Sequence, residues 1–226
     1  MESCLIHEAV EAQQCRRPVI LLTELSSGRQ RLISPGDEVT GALGEEIGRR
    51  FAAGQSGSVE IGDERFFLEV RLPSPKLLIV GAVHIAQALA PMAQLAEFEV
   101  TIVDPRPAFA TSERFSVGQK VVCDWPEDWL PENPLDAWSA LACFTHEPNI
   151  DDQAIAHALD RDCFYIGALG GKKSQSKRLE RLASRGLEPN KLARISGPIG
   201  LDIGSTTPAE IAVATLAEII SALRKR

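Results

Sequence analysis

Leu77-Leu78-Ile79-Val80-Gly81-Ala82-Val83-His84-Ile85-Ala86 is the stretch on which the fold of this chain turns. Four large apolar residues in a row read as a strand buried on both faces, and Lys76 to Val80 is taken as that strand. A tight glycine turn follows, and apolar residues then recur at helical spacing from Ile85 to Leu95. A second apolar run, Glu99 to Val103, ends at Asp104, twenty-three positions after Gly81. Strand, glycine turn, helix, strand and terminal carboxylate are the layout of a dinucleotide-binding βαβ unit. One element is missing. The fingerprint asks for glycine at position 83, where the backbone must approach a pyrophosphate, and Val83 stands there. Gly81 keeps the turn and Ala86 suits close helix–sheet packing. The pattern predicts a Rossmann-like fold that does not take NAD(P) in the standard pose, because the valine side chain is expected to point where the pyrophosphate would lie.

Downstream, the alternation continues. Val121 to Cys123 reads as a third, weaker strand. Ala140 to Phe144 is a fourth, followed by a helix at Asp151 to Leu159. Cys163 to Ile166 is a fifth, followed by a helix at Ser174 to Ser184. Thr207 to Leu223 is a closing helix, with Thr206 or Thr207 as its cap, Pro208 in its first turn and Glu210 just after. Solid apolar strands alternating with helices indicate a parallel sheet covered on both faces.

Upstream the pattern is smaller and mixed. Leu5 to Gln14 is a short helix, Val19 to Leu25 a strand, and Ser34-Pro35-Gly36-Asp37 a turn. Leu43 to Ala53 is a helix with Gly54 placed to end it. Ser58 to Ile61 and Arg65 to Val70 form a hairpin around Gly62-Asp63-Glu64. Leu72-Pro73-Ser74-Pro75 carries two prolines that neither a helix nor a central strand accepts, so a boundary is placed there. The expected architecture is α/β: a Rossmann-like parallel-sheet domain over residues 76–226, preceded by a small mixed α/β domain over residues 1–73.

Composition narrows the function classes. The 226 residues are 44 % hydrophobic and 24 % charged, with a formal net charge of −7. That is ordinary globular make-up, and the acidic balance argues against a general nucleic-acid binder. The five cysteines, Cys4, Cys15, Cys123, Cys143 and Cys163, form no CxxC pair, which reads as reduced thiols of a cytoplasmic protein. His7, His84, His146 and His157 show no metal-ligand spacing. No signal peptide is visible at the start, and no apolar run approaches the ~20 residues of a membrane span.

Four places could carry chemistry. At the first turn, Gly81 and the helix beginning near His84 offer a positive helix end, and Asp104 is either an acceptor for ligand hydroxyls or a turn residue before Pro105. Thr145-His146-Glu147 falls on the ligand edge of an open sheet. His146 there is a general base, a ligand contact, or part of a helix-entry loop capped by Asn149 or Asp151. Tyr165-Ile166-Gly167-Ala168-Leu169-Gly170-Gly171-Lys172-Lys173-Ser174 is again strand, glycine loop and helix start. Gly167 and Gly170 would free backbone N–H groups, with Lys172 and Lys173 beside them, as a phosphate requires. The basic residues that follow, Lys177, Arg178, Arg181 and Arg185, read as a solvated face. In Ser196 to Ser205, Asp202 is the one charge among glycines and large apolar residues, so the loop packs a sheet edge or a ligand, or turns the chain into the last helix. Cys123, Cys143 and Cys163 sit in or beside apolar strands and read as inert, and Cys15, although next to Arg16 and Arg17, has no evident basic pocket. No nucleophile–base pair and no metal cluster emerges, so no catalytic residue is assigned.

Several of these blocks together resemble the XdhC/CoxI family. They are Val103-Asp104-Pro105-Arg106-Pro107, Arg114-Phe115, Thr145-His146, Tyr165-Ile166-Gly167, Gly197-Pro198-Ile199-Gly200-Leu201-Asp202-Ile203-Gly204 and Thr207-Pro208-Ala209-Glu210-Ile211-Ala212, in that order and spacing. The likeness is strong over residues 76–226. It is weaker over residues 1–72, where Gly41-Ala42-Leu43-Gly44 is similar to part of the family's amino domain. The resemblance implies a xanthine dehydrogenase accessory protein and chaperone. Such a protein binds molybdenum cofactor transiently, promotes exchange of an oxo for a sulfido ligand, and hands the cofactor to a xanthine dehydrogenase-like molybdoenzyme. A cysteine desulfurase and a second copy of the chain are further partners under this reading; nucleic acid and membrane are not. Two features depart from the family. Its Gly-Ala-Gly-His turn has Val83 at the third place, and its Gly-Gly-Cys-Val-Glu stretch is matched here only from Glu2, with neither Cys4 nor Cys15 in register for the cysteine. Two other functions compete: an NAD(P)-dependent oxidoreductase, on fold alone, and a non-catalytic regulatory module that binds a nucleotide or pterin.

Overall fold

The structure is a computed structural model. It describes residues 2–115 and 118–225, and for residues 2–4 and 112 the backbone alone. The side chains of Glu2 and Cys4 thus lie outside the described residues. The chain divides into two compact units between Pro73 and Ser74.

The first unit contains α1 (Glu2–Gln14), β1 (Val19–Glu24), β2 (Gln30–Ile33), α2 (Gly41–Ala53), β3 (Gly57–Ile61) and β4 (Glu64–Arg71). Its four strands form an antiparallel sheet in the order β2-β1-β4-β3. β4 shows the period of a half-buried strand: Phe66 and Leu68 are buried, whereas Arg65 and Phe67 face out. They join Ile20, Leu22, Ile33 and Ile47 in one apolar core. Gly54 ends α2 in the left-handed region, at φ +66°, and donates its N–H to the Arg50 carbonyl. The polar stretch Gln30-Arg31 gives no sign of the strand β2; pairing with β1, Ile20 opposite Ile33, is what makes it one.

The second unit runs β5 (Lys76–Val80), α3 (His84–Leu95), β6 (Glu99–Val103), a 3-10 turn (Ser112–Arg114), β7 (Lys120–Val122), α4 (Pro126–Trp129), β8 (Ser139–Cys143), α5 (Pro148–Asp160), β9 (Tyr165–Ala168), α6 (Lys172–Ser184), α7 (Pro189–Leu192), β10 (Ile195–Ser196) and α8 (Pro208–Arg224). The six strands lie in the order β10-β9-β8-β5-β6-β7, and every pairing is parallel. This is the expected Rossmann-like sheet. Successive side chains alternate between its faces. Leu77 and Ile79 pack with α3 and α8 on one face, and Leu78 and Val80 with α5 on the other. That double burial is why β5 is apolar at every position after Lys76. β9 begins at Tyr165, two residues later than the apolar run suggests, and the two-residue β10 is too short to announce itself in the sequence. α8 starts with a capping box, in which Glu210 N–H donates to Thr207 Oγ1 and Thr207 N–H donates to the Glu210 carboxylate. Among the described residues no helix is long and apolar enough to cross a membrane.

Candidate functional site

The chain moves outward from β5 to β6 to β7 and then returns to the other side of β5 as β8. The switch point of the sheet therefore lies between the carboxyl ends of β5 and β8, where an open α/β sheet ordinarily takes its ligand. Here the ends of β5 and β8 lie in close contact. Gly81 has φ +108°, and a Cβ on it would fall 2.9 Å from Thr145 Cγ2. Glycine is thus what lets the two strand ends close on each other. The Ala82 N–H donates to Asp104 Oδ2 at 2.8 Å. Asp104 has no exposed surface and also accepts from the Arg106 backbone N–H at 3.0 Å and from Arg106 Nε and Nη2 at 2.8 Å each. Burial alone would raise the Asp104 carboxyl, but the hydrogen bonds from Arg106 and Ala82 outweigh it and hold it below the ordinary value. Of its two readings, the geometry fits the turn-holding one: Asp104 offers no free oxygen to a ligand hydroxyl. Arg114 closes the turn from the other side, donating to the carbonyls of Ala82 and Phe109 at 3.0 Å each. His84 is exposed at the first position of α3. Val83 is half-buried and packs against the cluster under α3 and α8.

A cleft opens further along the sheet, past the ends of β8 and β9. It has a volume of about 450 Å³, and His146, Gly170, Lys172, Leu201, Asp202 and Ile203 are among the residues that line it. Four residues expected at the site, His146, Gly170, Lys172 and Asp202, are therefore brought together. Gly81, His84, Asp104, Gly167 and Lys173 are not among its lining residues.

Each wall has a local cause. His146 is held at φ +61°, a conformation rare outside glycine. The preceding Thr145 fixes it: Thr145 Oγ1 donates to Asp151 Oδ1 at 2.6 Å and accepts the Glu147 N–H at 3.0 Å. Neither Asp151 nor Asn149 is the helix cap that the sequence suggests. α5 starts at Pro148 after Glu147, with no side-chain cap. Asp151 instead lies 1 % exposed beneath the strand end, where burial pushes its carboxyl up to about 6 against the lowering pull of the Thr145 hydroxyl and Arg178.

In the glycine loop, Gly170 has φ +131°, and a Cβ there would meet Ser174 Cβ at 3.0 Å and stand 3.7 Å from His146 Nδ1. α6 begins at Lys172, two residues earlier than expected, after Gly171 and without a side-chain cap or a first-turn acid. Its leading N–H groups point out of the helix, and Lys172 and Lys173 stand at its positive end, where the dipole disfavours cations. Such an end favours an anion. Gly167 has a different part. It is inside β9, and the space a side chain would need is occupied by Tyr165 Oη and Ile199.

The solvated basic face expected on α6 needs correction. Arg178 is 4 % exposed and donates to Gln175 Oε1 at 2.6 Å and to the Leu169 carbonyl at 2.9 Å. Gln175 in turn reaches the Ile195 carbonyl at 3.2 Å. Arg181 pairs with Asp152, a residue without exposed surface, at 2.9 Å. Only Lys177 and Arg185 of the four are exposed. The spacing of Gln175, Arg178 and Leu182 is the signal for this: they fall on one helical stripe, and Leu182 marks that stripe as inward.

The loop after β10 forms the last wall. Ile199 packs into the core, but Leu201 is 44 % and Ile203 58 % exposed. Two large apolar side chains are thus held toward a cleft instead of beneath it. Of the thiols, Cys143 and Cys163 are buried, which pushes Cys143 well up and Cys163 to about 12. Cys123, expected to be packed like them, is exposed, as is Cys15.

Residues 77–219 match the family model described as the XdhC Rossmann domain. The chain is 34 % identical over 160 residues to a protein of Bacillus subtilis (strain 168) named as a probable xanthine dehydrogenase subunit, covering 71 % of this chain and 46 % of that protein. It is 25 % identical over 149 residues to the molybdenum cofactor insertion chaperone PaoD of Escherichia coli (strain K12), covering 66 % of this chain and 40 % of that one. The chain thus spans less than half the length of either relative. A crystal structure of a xanthine dehydrogenase from Bacillus halodurans superposes with a TM-score of 0.67 at 22 % identity, covering 96 % of this chain and 62 % of the other, a likeness of fold. With the family match running from β5 into α8 and the parallel sheet in place, the chain belongs to the XdhC family.

Proposed function

We propose that this protein binds molybdenum cofactor as a cargo, assists its sulfuration, and hands it to a xanthine dehydrogenase-like molybdenum hydroxylase. The observation that carries the reading is the cleft itself. An uncapped helix start with Gly170, Gly171 and Lys172 faces the exposed Leu201 and Ile203 across about 450 Å³. A pterin with a terminal phosphate has matching chemistry, a flat heterocycle at one end and an anion at the other. The backbone N–H groups after Gly170 and the ammonium of Lys172 would hold the phosphate, with Lys173 adding charge from outside the cleft. Leu201 and Ile203 would cover the ring, and His146 and Asp202 would meet its polar edge. The relatives' names, a molybdenum cofactor insertion chaperone and a xanthine dehydrogenase component, support the same cargo. Sulfur would come from a partner such as a cysteine desulfurase; of this chain's own thiols, Cys143 and Cys163 are held buried and unreactive. NAD(P) would bind poorly, since Val83 replaces the glycine that a pyrophosphate needs and the Ala82 N–H and carbonyl are already engaged by Asp104 and Arg114.

The test uses cofactor freshly released from a donor molybdoenzyme without oxygen, with retained molybdenum measured after gel filtration. Lys172→Ala with Lys173→Ala removes one charge-assisted contact of about 1.5–3 kcal/mol and a neighbouring charge, so retention should fall tenfold or more and lose much of its salt dependence. Lys177→Ala with Arg185→Ala, on the exposed face, should change little. Equal losses from both pairs would reduce the site to a diffuse basic field. Micromolar NADH binding by calorimetry would count against the reading of the Gly81 turn.

A further inference from the structure

Glu218 lies on α8, outside every segment that the sequence marked as chemical. Its carboxylate gathers three donors from three different places: Tyr165 Oη of β9 at 2.6 Å, Ser196 Oγ of β10 at 2.5 Å, and the Gly200 N–H at 2.7 Å. Gly200, at φ +93°, lies so close to α8 that a Cβ would stand 3.0 Å from Thr215 N. The next residue donates its own N–H to the Ala214 carbonyl at 3.2 Å. The loop is therefore pinned to α8 at two successive backbone groups, at Gly200 and Leu201.

Apolar side chains in a glycine-rich loop ordinarily turn inward, because burial removes their surface from water. Here Ile199 does turn inward, whereas Leu201 and Ile203 stay out. The pin at Gly200 falls between these two behaviours. We infer that Glu218 is a positioning residue of the cleft: by accepting the Gly200 N–H while bound to Tyr165 and Ser196, it holds residues 200–205 in the shape that presents Leu201 and Ile203 to the cargo. The inference rests on the cargo reading above for its ligand, but not for its loop geometry.

The side-chain oxygen of a glutamine accepts the same N–H, and its amide group meets hydroxyls that both donate and accept. Glu218→Gln should therefore retain the loop, and Glu218→Ala should release it. Amide exchange of residues 199–204, read by mass spectrometry on the full chain, should quicken at least tenfold in Glu218→Ala, with the strands 77–80 and 140–143 unchanged. Cofactor retention should fall by a similar factor in Glu218→Ala and stay near the parental level in Glu218→Gln. If Glu218→Ala does not fold, Glu218→Asp, one methylene too short to reach Gly200, should loosen the same segment. Unchanged exchange at 199–204 in the alanine or aspartate variant, or a glutamine variant as impaired as alanine, overturns the assignment. A parental chain that retains no cofactor overturns the cargo reading instead and leaves the exchange result standing.

Discussion

Asp151→Asn should change how stability depends on pH. The carboxyl is 1 % exposed, and burial raises it from the ordinary 3.8 to about 6. An acid with a raised folded value binds its proton in the native state over a window where the unfolded chain has released it. Stability from this group is therefore full below about pH 4, falls as the pH rises toward 6, and stays low above that. The difference of roughly two units corresponds to about 3 kcal/mol. Asparagine keeps an oxygen for the Thr145 hydroxyl but does not ionise. Its amide nitrogen takes the place of Asp151 Oδ2, which is buried without a partner among the described residues, and that nitrogen costs about 1–3 kcal/mol at every pH if it too stays unpaired. The constant cost cancels when two pH values are compared. Urea unfolding of parent and variant between pH 4 and pH 8 should show the variant gaining about 2.5 kcal/mol relative to the parent across that range. For a chain of this size that is on the order of 5–10 °C in Tm. A stability difference that stays flat with pH would show that Asp151 ionises normally beneath the His146 turn, and the reasoning from burial would be wrong.

Two further outcomes can be measured directly. Arg181→Ala strands the fully buried Asp152 carboxylate and should cost about 2–3 kcal/mol in urea unfolding, whereas Lys177→Ala on the same helix should stay within about 0.5 kcal/mol. A thiol reagent at pH 8 should label Cys15 and Cys123 in the native protein and reach Cys143 and Cys163 only on unfolding; fast native labelling of Cys143 would contradict its place in β8.

How the site differs from its sequence reading is visible at α6. The helix is legible from Leu179 and Leu182, and its glycine entry from Gly170-Gly171. Arg178 nevertheless looks like its neighbour Lys177, because a charged residue reads as solvated unless its buried partner is known. That partner is the Leu169 carbonyl, exposed by the end of β9. Asp104 shows the same limit from the other direction. It does stand after β6 as expected, but the ligand-ready carboxylate of that place is here closed by Arg106, two residues on. Glu218 carries no sequence signal at all.

What the amino-acid order determined by itself is the sheet. Solid runs such as Leu77–Val80, broken by Gly81 and resumed with helical spacing, admit few structures other than a doubly covered parallel layer, because period and length select the element locally. The capping box at Thr207 and Glu210 belongs to the same class, since all its partners lie within four residues. What only the tertiary structure decided is which distant residues meet around the strand ends. Thr145 meets Gly81 across sixty-four positions of chain, and Glu218 reaches back to Gly200 and Tyr165. Those contacts join residues far apart in the chain, and no local pattern specifies them.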